Sequence, residues 1–379
     1  QLDIAPGAHV FYRVDYNVPL EGTRITDATR IEETLPTLQL LRERGAALVI
    51  ASHLGRPKGE RKEKYSLKPV RDKLAELTGR EVSWSDETIG PEAEEKAKAL
   101  QAGDILLLEN LRFHSGEEKN DEGFAAKLRR LAQYYVNDAF GACHRAHASI
   151  EALPRMMVKD RTCGGLLLAR ELEFLQKVTG GSDHPFVALL GGAKIAGKIE
   201  ALEALVKLAD KVLIGGGMAN TFLAAKGIEM ADSLVDEESI DVAKRMLADT
   251  KLVLPADLVL DSGAVIDAEK GLANGSKALD IGPKTVERFT SELRKAKMIF
   301  WNGPMGLFEQ EKFAKGTMAM ARAVAESGAM TVVGGGESVE AVKASGFARK
   351  ISHISTGGGA SLEFVAGAAL PGVEVLRKS

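Results

Sequence analysis

Three glycine triplets, each after a short apolar run, are the stretches of this sequence best suited to chemistry. They are Gly215-Gly216-Gly217 after Lys211–Ile214, Gly334-Gly335-Gly336 after Met330–Val333, and Gly357-Gly358-Gly359 within the segment Ile354–Ser361. Backbone without side chains at the end of a strand, opening into a helix, turns its amide N–H groups outward beside the positive end of the helix dipole, which suits phosphate. One such triplet would serve a tight turn equally well. Three of them, with Gly191-Gly192-Ala193-Lys194 in the same half of the chain, point to a multiply charged phosphate ligand.

The segment Gly192–Ile199 comes close to the pattern GxxxxGK[ST], but Ile199 stands where a hydroxyl would hold Mg²⁺. A standard P-loop NTPase is therefore the weaker reading. If the following helix starts early, Lys194 and Lys198 lie four apart on one face and both reach phosphate oxygens. The GxGxxG fingerprint with a downstream acid is absent from a strand–helix setting, which lowers a dehydrogenase reading.

The first half carries a different chemistry. Arg13, Arg30, Arg56, Arg112 and Arg145 offer forked, permanently charged donors for a carboxylate and a phosphate. Asp15 and Asn17 alternate at a strand end and suit a sugar-acid hydroxyl, though an Asx turn before Pro19 accounts for them locally. The run from Cys143 through His144 and Arg145 to His147 invites a metal, but no fourth ligand is visible and the arginine would repel a cation. No local Ser-His-Asp or Cys-His motif supports hydrolase chemistry.

Short apolar runs alternating with helical patterns must position these residues, the signature of parallel α/β units. Strands are expected at Val10–Tyr16, Ala47–His53, Ile105–Glu109, Tyr135–Ala139, Phe186–Leu190, Val212–Gly215, Leu252–Leu254, Met298–Trp301, Thr331–Gly334 and Lys350–Ser355. Helices are expected at Thr29–Arg44, Leu67–Leu77, Leu166–Val178, Lys198–Leu208 and Lys315–Ser327. Ligands of open α/β sheets bind beyond the carboxyl ends of the strands. The Arg/His-rich strand ends come first and the Gly/Lys-rich ones second, with the change near residues 164–184.

A chain of 379 residues suits two domains of about 150–200 residues each. With 45% hydrophobic residues, 27% charged residues and a net charge of −3, it describes an ordinary soluble globular protein with no case for nucleic acid. Its longest apolar runs are strand-sized and too short for a bilayer. Cys143 and Cys163 form no CxxC pair and fit a reducing compartment, so a cytoplasmic location is expected. The start at Gln1 shows no export signal and no Met, as after processing or trimming.

The blocks RVDYNVPL (13–20), ITDATRI (25–31), SHLGRPKG (52–59), LLLENLRFHSGEEKND (106–121), DAFGACHRAHAS (138–149), GGAKIAGKI (191–199), GGGMANTFL (215–223), LDIGPKT (279–285), FWNGPMGLFE (300–309), VVGGGES (332–338) and STGGGASLE (355–363) together resemble the phosphoglycerate kinase family. That resemblance implies an α/β fold of two Rossmann-like lobes, each a parallel sheet flanked by helices, joined by a hinge helix. Residues 1–165, with 365–379 packing back on them, would bind phosphoglycerate; 166–180 would be the hinge; 181–364 would bind nucleotide. It also implies reversible Mg²⁺-dependent phosphoryl transfer from 1,3-bisphosphoglycerate to ADP, giving 3-phosphoglycerate and ATP in glycolysis. The alternative is a non-catalytic nucleotide-binding protein that retains the fold. A monomer without membrane or nucleic-acid partners is expected.

By position, the resemblance places Asp15, Asn17, Arg30, His53, Arg56, Arg112 and Arg145 at the phosphoglycerate. It places Lys194, Lys198, Gly215, Gly282, Asn302, Glu309, Gly335, Gly336, Glu337 and Ser338 at the nucleotide, with Glu309 at the ribose and Glu337 at the metal. Arg30, Lys194 and Gly358 are the expected catalytic groups. The chain departs from the family pattern at Glu337, where the family usually has Asp, and at Ala196-Gly197 and Cys143. The departures bear on nucleotide and Mg²⁺ affinity more than on reaction type.

Overall fold

The computed structural model describes residues 2–181 and 183–377. The expected boundaries also touch Gln1, Ser182, Lys378 and Ser379, which lie outside the described residues. Among the described residues the chain forms two six-stranded parallel sheets, a three-stranded antiparallel sheet and a short hairpin at Leu20–Glu21 and Arg24–Ile25.

The chain divides into two compact units, residues 1–172 with 369–379, and residues 173–368. The passage from the first to the second lies inside the helix Leu166–Gly180. In the first unit the strands run in the spatial order Ser83–Ser85, Ile105–Leu108, Ala47–Ala51, His9–Arg13, Tyr134–Asn137, Thr162–Gly164. Alternate residues feed the two faces of this sheet. Val10, Tyr12, Leu48 and Ile50 enter one core cluster, whereas Phe11, Ala47 and Val49 enter another. Every residue of Ala47–Ala51 is buried, as expected of a strand covered on both faces.

In the second unit the order is Leu252–Val253, Lys211–Ile214, Phe186–Leu190, Met298–Asn302, Met330–Gly334, His353–Ile354. Strand order reverses between Phe186–Leu190 and Met298–Asn302, so a crevice opens beyond their carboxyl ends. The short helix Pro371–Glu374 belongs to the first unit, where the Gly372 amide donates to the Cys143 carbonyl at 3.0 Å.

Each of the ten expected strands is present, most with trimmed ends. The expected helix Thr29–Arg44 is instead two helices, Thr29–Glu32 and Leu35–Glu43. Pro36 has no N–H to continue the ladder, so it opens the second helix instead of extending the first. The helix after the Walker-like segment starts at Ile199, leaving Lys194 in a loop and Lys198 at the N-cap. The strands Ser83–Ser85 and Thr162–Gly164 escaped the sequence reading because they are three-residue edge strands with little apolar signal. The antiparallel sheet of Asp257–Leu260, Val265–Asp267 and Ala278–Ile281 was also missed.

Candidate active site

In the first unit, functional side chains gather beyond the ends of four adjacent strands. Asp15 follows His9–Arg13 and is 7% exposed. Its Oδ2 accepts from Arg30 Nη1 at 2.6 Å, and its Oδ1 lies 3.8 Å from His53 Nε2. Burial alone would raise the Asp15 carboxyl, but Arg30, then His53 and Arg13, outweigh it and hold it at about 2. Asn17 does not form a free Asx turn alone: its Oδ1 accepts from the Gly55 amide at 2.8 Å, tying two strand ends together.

Arg112 is buried and donates through Nη1 to the Gly55 carbonyl at 2.8 Å. Burial lowers its pKa, and Arg13 and Arg145 add repulsion while Glu118 opposes it. Arg145 donates to His144 Nε2 at 3.0 Å, and Arg56 is exposed. Buried Arg112 Nε, with Glu118 Oε1 3.6 Å away, and buried His147 Nδ1 make no hydrogen bond. His147 was missed as a site residue. Burial, with repulsion from Arg112, Arg13 and Arg145, depresses it to about 3, so a neutral ring faces this cationic group.

Arg13 corrects the sequence reading. It was expected among the anion-binding arginines, yet its side chain is wholly buried. Its Nε donates to Ser149 Oγ at 2.7 Å, Nη1 to the Val14 carbonyl, and Nη2 to His53 Nδ1 at 3.3 Å, with Glu117 3.8 Å away. All of its donors face the interior, so it supports the site from behind.

In the second unit, a cleft of about 680 Å³, counting its open mouth, is lined by Gly192, Ala193, Gly216, Gly217, Leu258, Leu279, Pro304–Leu307, Glu309 and Glu337, among others. Exposed Leu234 and Leu307 give the cleft apolar walls, which suit a planar base. Gly216 has φ +63°, and a Cβ there would come within 2.9 Å of Gly192 N and Pro304 O, so only glycine lets these loops meet. Asp280 also lines the cleft, with Oδ2 accepting from Gly316 N at 2.7 Å and Oδ1 from Ile281 N at 2.9 Å. Burial raises its carboxyl to about 7 despite those bonds. A lone Asp inside an apolar strand gave the sequence reading no signal for it.

Gly215, Gly335 and Gly358 cap the helices Gly216–Ala225, Gly336–Ala344 and Gly359–Val365, so the three triplets do open into helices. Gly336 and Gly358 have open space where a Cβ would stand. Glu337 is exposed at the cleft and its charge acts to raise the Lys198 pKa, although burial lowers it overall. Asn302 is buried beside Gly335, and its Nδ2 has no hydrogen-bond partner.

Four of the residues expected at the nucleotide make contacts within the protein. Ser338 is fully buried and accepts the Gly303 amide at 2.5 Å. Gly282 packs against Asp257, whose carboxylate accepts the amides of Lys284 and Thr285 and so caps the helix Pro283–Lys295 itself. Gly215 is backed by Met305. Lys198 folds back, its Nζ donating to the Gly191 carbonyl at 3.0 Å. Lys194 is exposed.

Comparison with known proteins gives the family. Residues 2–368 match the family model for phosphoglycerate kinase. The chain is 50% identical over 378 residues to the phosphoglycerate kinase of Moorella thermoacetica, covering 97% of this chain and 95% of that protein. It is also 50% identical to that of Koribacter versatilis, covering 97% and 96%. The solved phosphoglycerate kinase structures from Coxiella burnetii and Pyrococcus horikoshii OT3 superpose with TM-scores of 0.86 and 0.88, each 34% identical over 98% of this chain and 96% of the other. The alternative of a non-catalytic protein has no support among these relatives. With arginines gathered beyond the strand ends of one α/β unit, a glycine-lined cleft in the other and matching relatives along nearly its whole length, the chain belongs to the phosphoglycerate kinase family.

Proposed function

We propose that this chain moves a phosphoryl group between 1,3-bisphosphoglycerate and ADP, yielding 3-phosphoglycerate and ATP, with the phosphoglycerate on the first unit and the nucleotide on the second. The observation that carries this reading is a set of buried nitrogens without a hydrogen bond: Arg112 Nε, with Glu118 Oε1 no nearer than 3.6 Å, and His147 Nδ1 in one unit, Asn302 Nδ2 in the other. Buried polar nitrogens are ordinarily satisfied, so these are natural partners for polar groups of a ligand.

In the reverse direction the acceptor is a carboxylate, ionised at neutral pH, so no general base is needed. Phosphoryl transfer instead requires in-line placement and positive charge around the moving oxygens. Arg30 is assigned to the substrate carboxyl, with Asp15 fixing its guanidinium. Asn17, His53, Arg56, Arg112 and Arg145 hold the rest of the phosphoglycerate. Lys194 and the Gly357–Gly359 amides, Gly358 among them, steady the transferring group. Glu309 takes the ribose, while Asn302, Gly335 and Gly336 approach the nucleotide phosphates.

Among the described residues no cluster of three or more His, Cys, Asp or Glu could hold a metal by itself. Mg²⁺ commonly binds through one or two carboxylates together with substrate phosphates, so the exposed carboxylate of Glu337 at the cleft fits a metal arriving with the nucleotide. There Mg²⁺ would neutralise phosphate charge. Because the two ligands are assigned to different units, the reacting groups meet only if the units close, with the helix Leu166–Gly180 in the hinge; closure also keeps water from an acyl phosphate. Scattering that detected no compaction with both ligands present would count against closure. Among the described residues no helix is long and apolar enough to cross a membrane. A monomer working in the cytoplasm completes the reading.

A coupled assay with ATP and 3-phosphoglycerate, run with and without Mg²⁺, tests it. Turnover that needs both substrates and the metal is expected. Hydrolysis of ATP without phosphoglycerate, or no turnover, overturns it.

A further inference from the structure

We infer that Asp236 is a positioning residue for Lys194, acting as a clamp on the backbone of the loop that carries it. The inference rests on the role proposed above for Lys194. Asp236 is 6% exposed, and its Oδ2 receives three donors: Ile195 N at 3.1 Å, Ala196 N at 2.9 Å and Ser239 Oγ at 3.0 Å. The Asp236 amide in turn donates to Thr221 Oγ1 at 3.0 Å, which anchors the carboxylate to the helix Gly216–Ala225 at the cleft. Ile195 follows Lys194 directly.

These amides belong to the Walker-like segment, where adjacent backbone N–H groups would be expected to receive a phosphate. In this chain a carboxylate of the protein already occupies them. The nucleotide phosphates therefore cannot use the Ile195 and Ala196 amides, while the Lys194 ammonium beside them is exposed. The helix starts only at Ile199, so the stretch before it is held by the clamp together with the bonds from Lys198 N to the Ile195 carbonyl at 2.8 Å and from Lys198 Nζ to the Gly191 carbonyl at 3.0 Å. Hydrogen bonds to an ionised acceptor are the stronger kind, which suits a loop that must stay fixed while its lysine faces a charged ligand.

Because all three donors converge on one oxygen, the amide oxygen of an Asp236→Asn variant can accept them without the charge. Asp236→Ala removes the acceptor. The expected kcat is ~10–100-fold lower in Asp236→Ala, the loss associated with misplacing a catalytic group by about 1 Å. The KM for 3-phosphoglycerate, bound to the first unit, should stay within about twofold, whereas a general loss of structure would raise it. Asp236→Asn should restore kcat to within about threefold of the unmodified protein, since it preserves the clamp.

The deciding measurement is a double-mutant cycle with Lys194→Ala, with circular dichroism and thermal unfolding recorded for every variant. If Asp236 acts through Lys194, adding Asp236→Ala to Lys194→Ala costs nothing further in kcat. Multiplicative losses, while Lys194→Ala alone is impaired, overturn the clamp and leave the role of Lys194 standing. Unchanged kcat in Asp236→Ala, or an Asp236→Asn variant as impaired as Asp236→Ala, also overturns it. Near-normal turnover of Lys194→Ala overturns the underlying assignment, and the clamp with it. Should Asp236→Ala fail to fold, the Asp236→Asn result and its own cycle with Lys194→Ala decide the matter.

Discussion

Arg13 sets the tautomer of His53: its Nη2 lies 3.3 Å from His53 Nδ1. A guanidinium can only donate, so Nδ1 must be the accepting nitrogen and the ring proton must reside on Nε2, the nitrogen on the Asp15 side. Burial pushes the His53 pKa well below the usual range, opposed by Asp15 and assisted by Arg112, Arg13 and Arg30. His53 thus meets a ligand as a neutral donor. Side-chain amide substitutions can separate the two nitrogens, since Gln places its N–H near Nε2 and Asn near Nδ1. His53→Gln should bind 3-phosphoglycerate about tenfold better than His53→Asn, the value of one buried hydrogen bond. Equal affinities, or ¹⁵N NMR showing an Nδ1-protonated ring near pH 7, would remove this assignment.

Glu117 is the acid that balances Arg13 in the interior. Both side chains are fully buried, and Glu117 also accepts Ser149 N at 3.0 Å and Ser149 Oγ at 2.6 Å. Glu117→Ala leaves the arginine without its counter-charge and should destabilise the protein by about 3–5 kcal/mol. Urea denaturation measures this directly, and a loss under about 1 kcal/mol would show that the pair is dispensable.

Asp280 should make stability fall as pH rises. Its folded pKa, raised to about 7, lies above the ordinary carboxyl value of 3.8. The native state therefore holds a proton that the unfolded chain has lost between those values, and the associated stability is lost as pH rises through about 7. The full effect is on the order of 4 kcal/mol. Asp280→Asn cannot titrate, so the difference in its unfolding free energy between pH 5 and pH 8, which spans only about two pH units below the folded pKa, should shrink by about 2.7 kcal/mol. An unchanged difference would place the titrating group elsewhere.

Asp15 acts with the opposite sign. Its folded pKa of about 2 lies below 3.8, so its stabilisation is present above pH 4 and disappears as pH falls toward 2. Arg30→Ala removes the leading attractive charge and should weaken this acid dependence, while raising the KM for 3-phosphoglycerate. Lys194→Ala should instead lower kcat by ~10²–10³, as for loss of a group that contacts the developing charge. Acid unfolding curves and steady-state kinetics on both variants check the contrast.

Glu337 is one methylene longer than the aspartate usual at its position, and Mg²⁺ tolerates little departure from octahedral geometry. Glu337→Asp should shift the Mg²⁺ concentration for half-maximal turnover by severalfold. Superimposable metal titrations of the two proteins would exclude Glu337 from the metal site.

The alternating apolar runs determined the ten expected strands and the α/β class, because a parallel strand buried on both faces must be almost wholly apolar, as in Phe186–Leu190. They also placed Asp15, His53 and Arg112 beyond strand ends, and set the glycine triplets before helices. Local pattern could not tell a residue that faces a ligand from one that supports it. Arg13 and Arg112 read alike in sequence, yet Arg13 turns all its donors inward to Ser149, Val14 and His53, partners distant along the chain except for Val14. Ser338, Gly282 and the Ile195–Ala196 amides were likewise claimed by Gly303, Asp257 and Asp236. Which polar groups remain free is settled by long-range packing, since a buried donor takes whichever acceptor the fold brings within reach, and that choice belongs to tertiary structure alone.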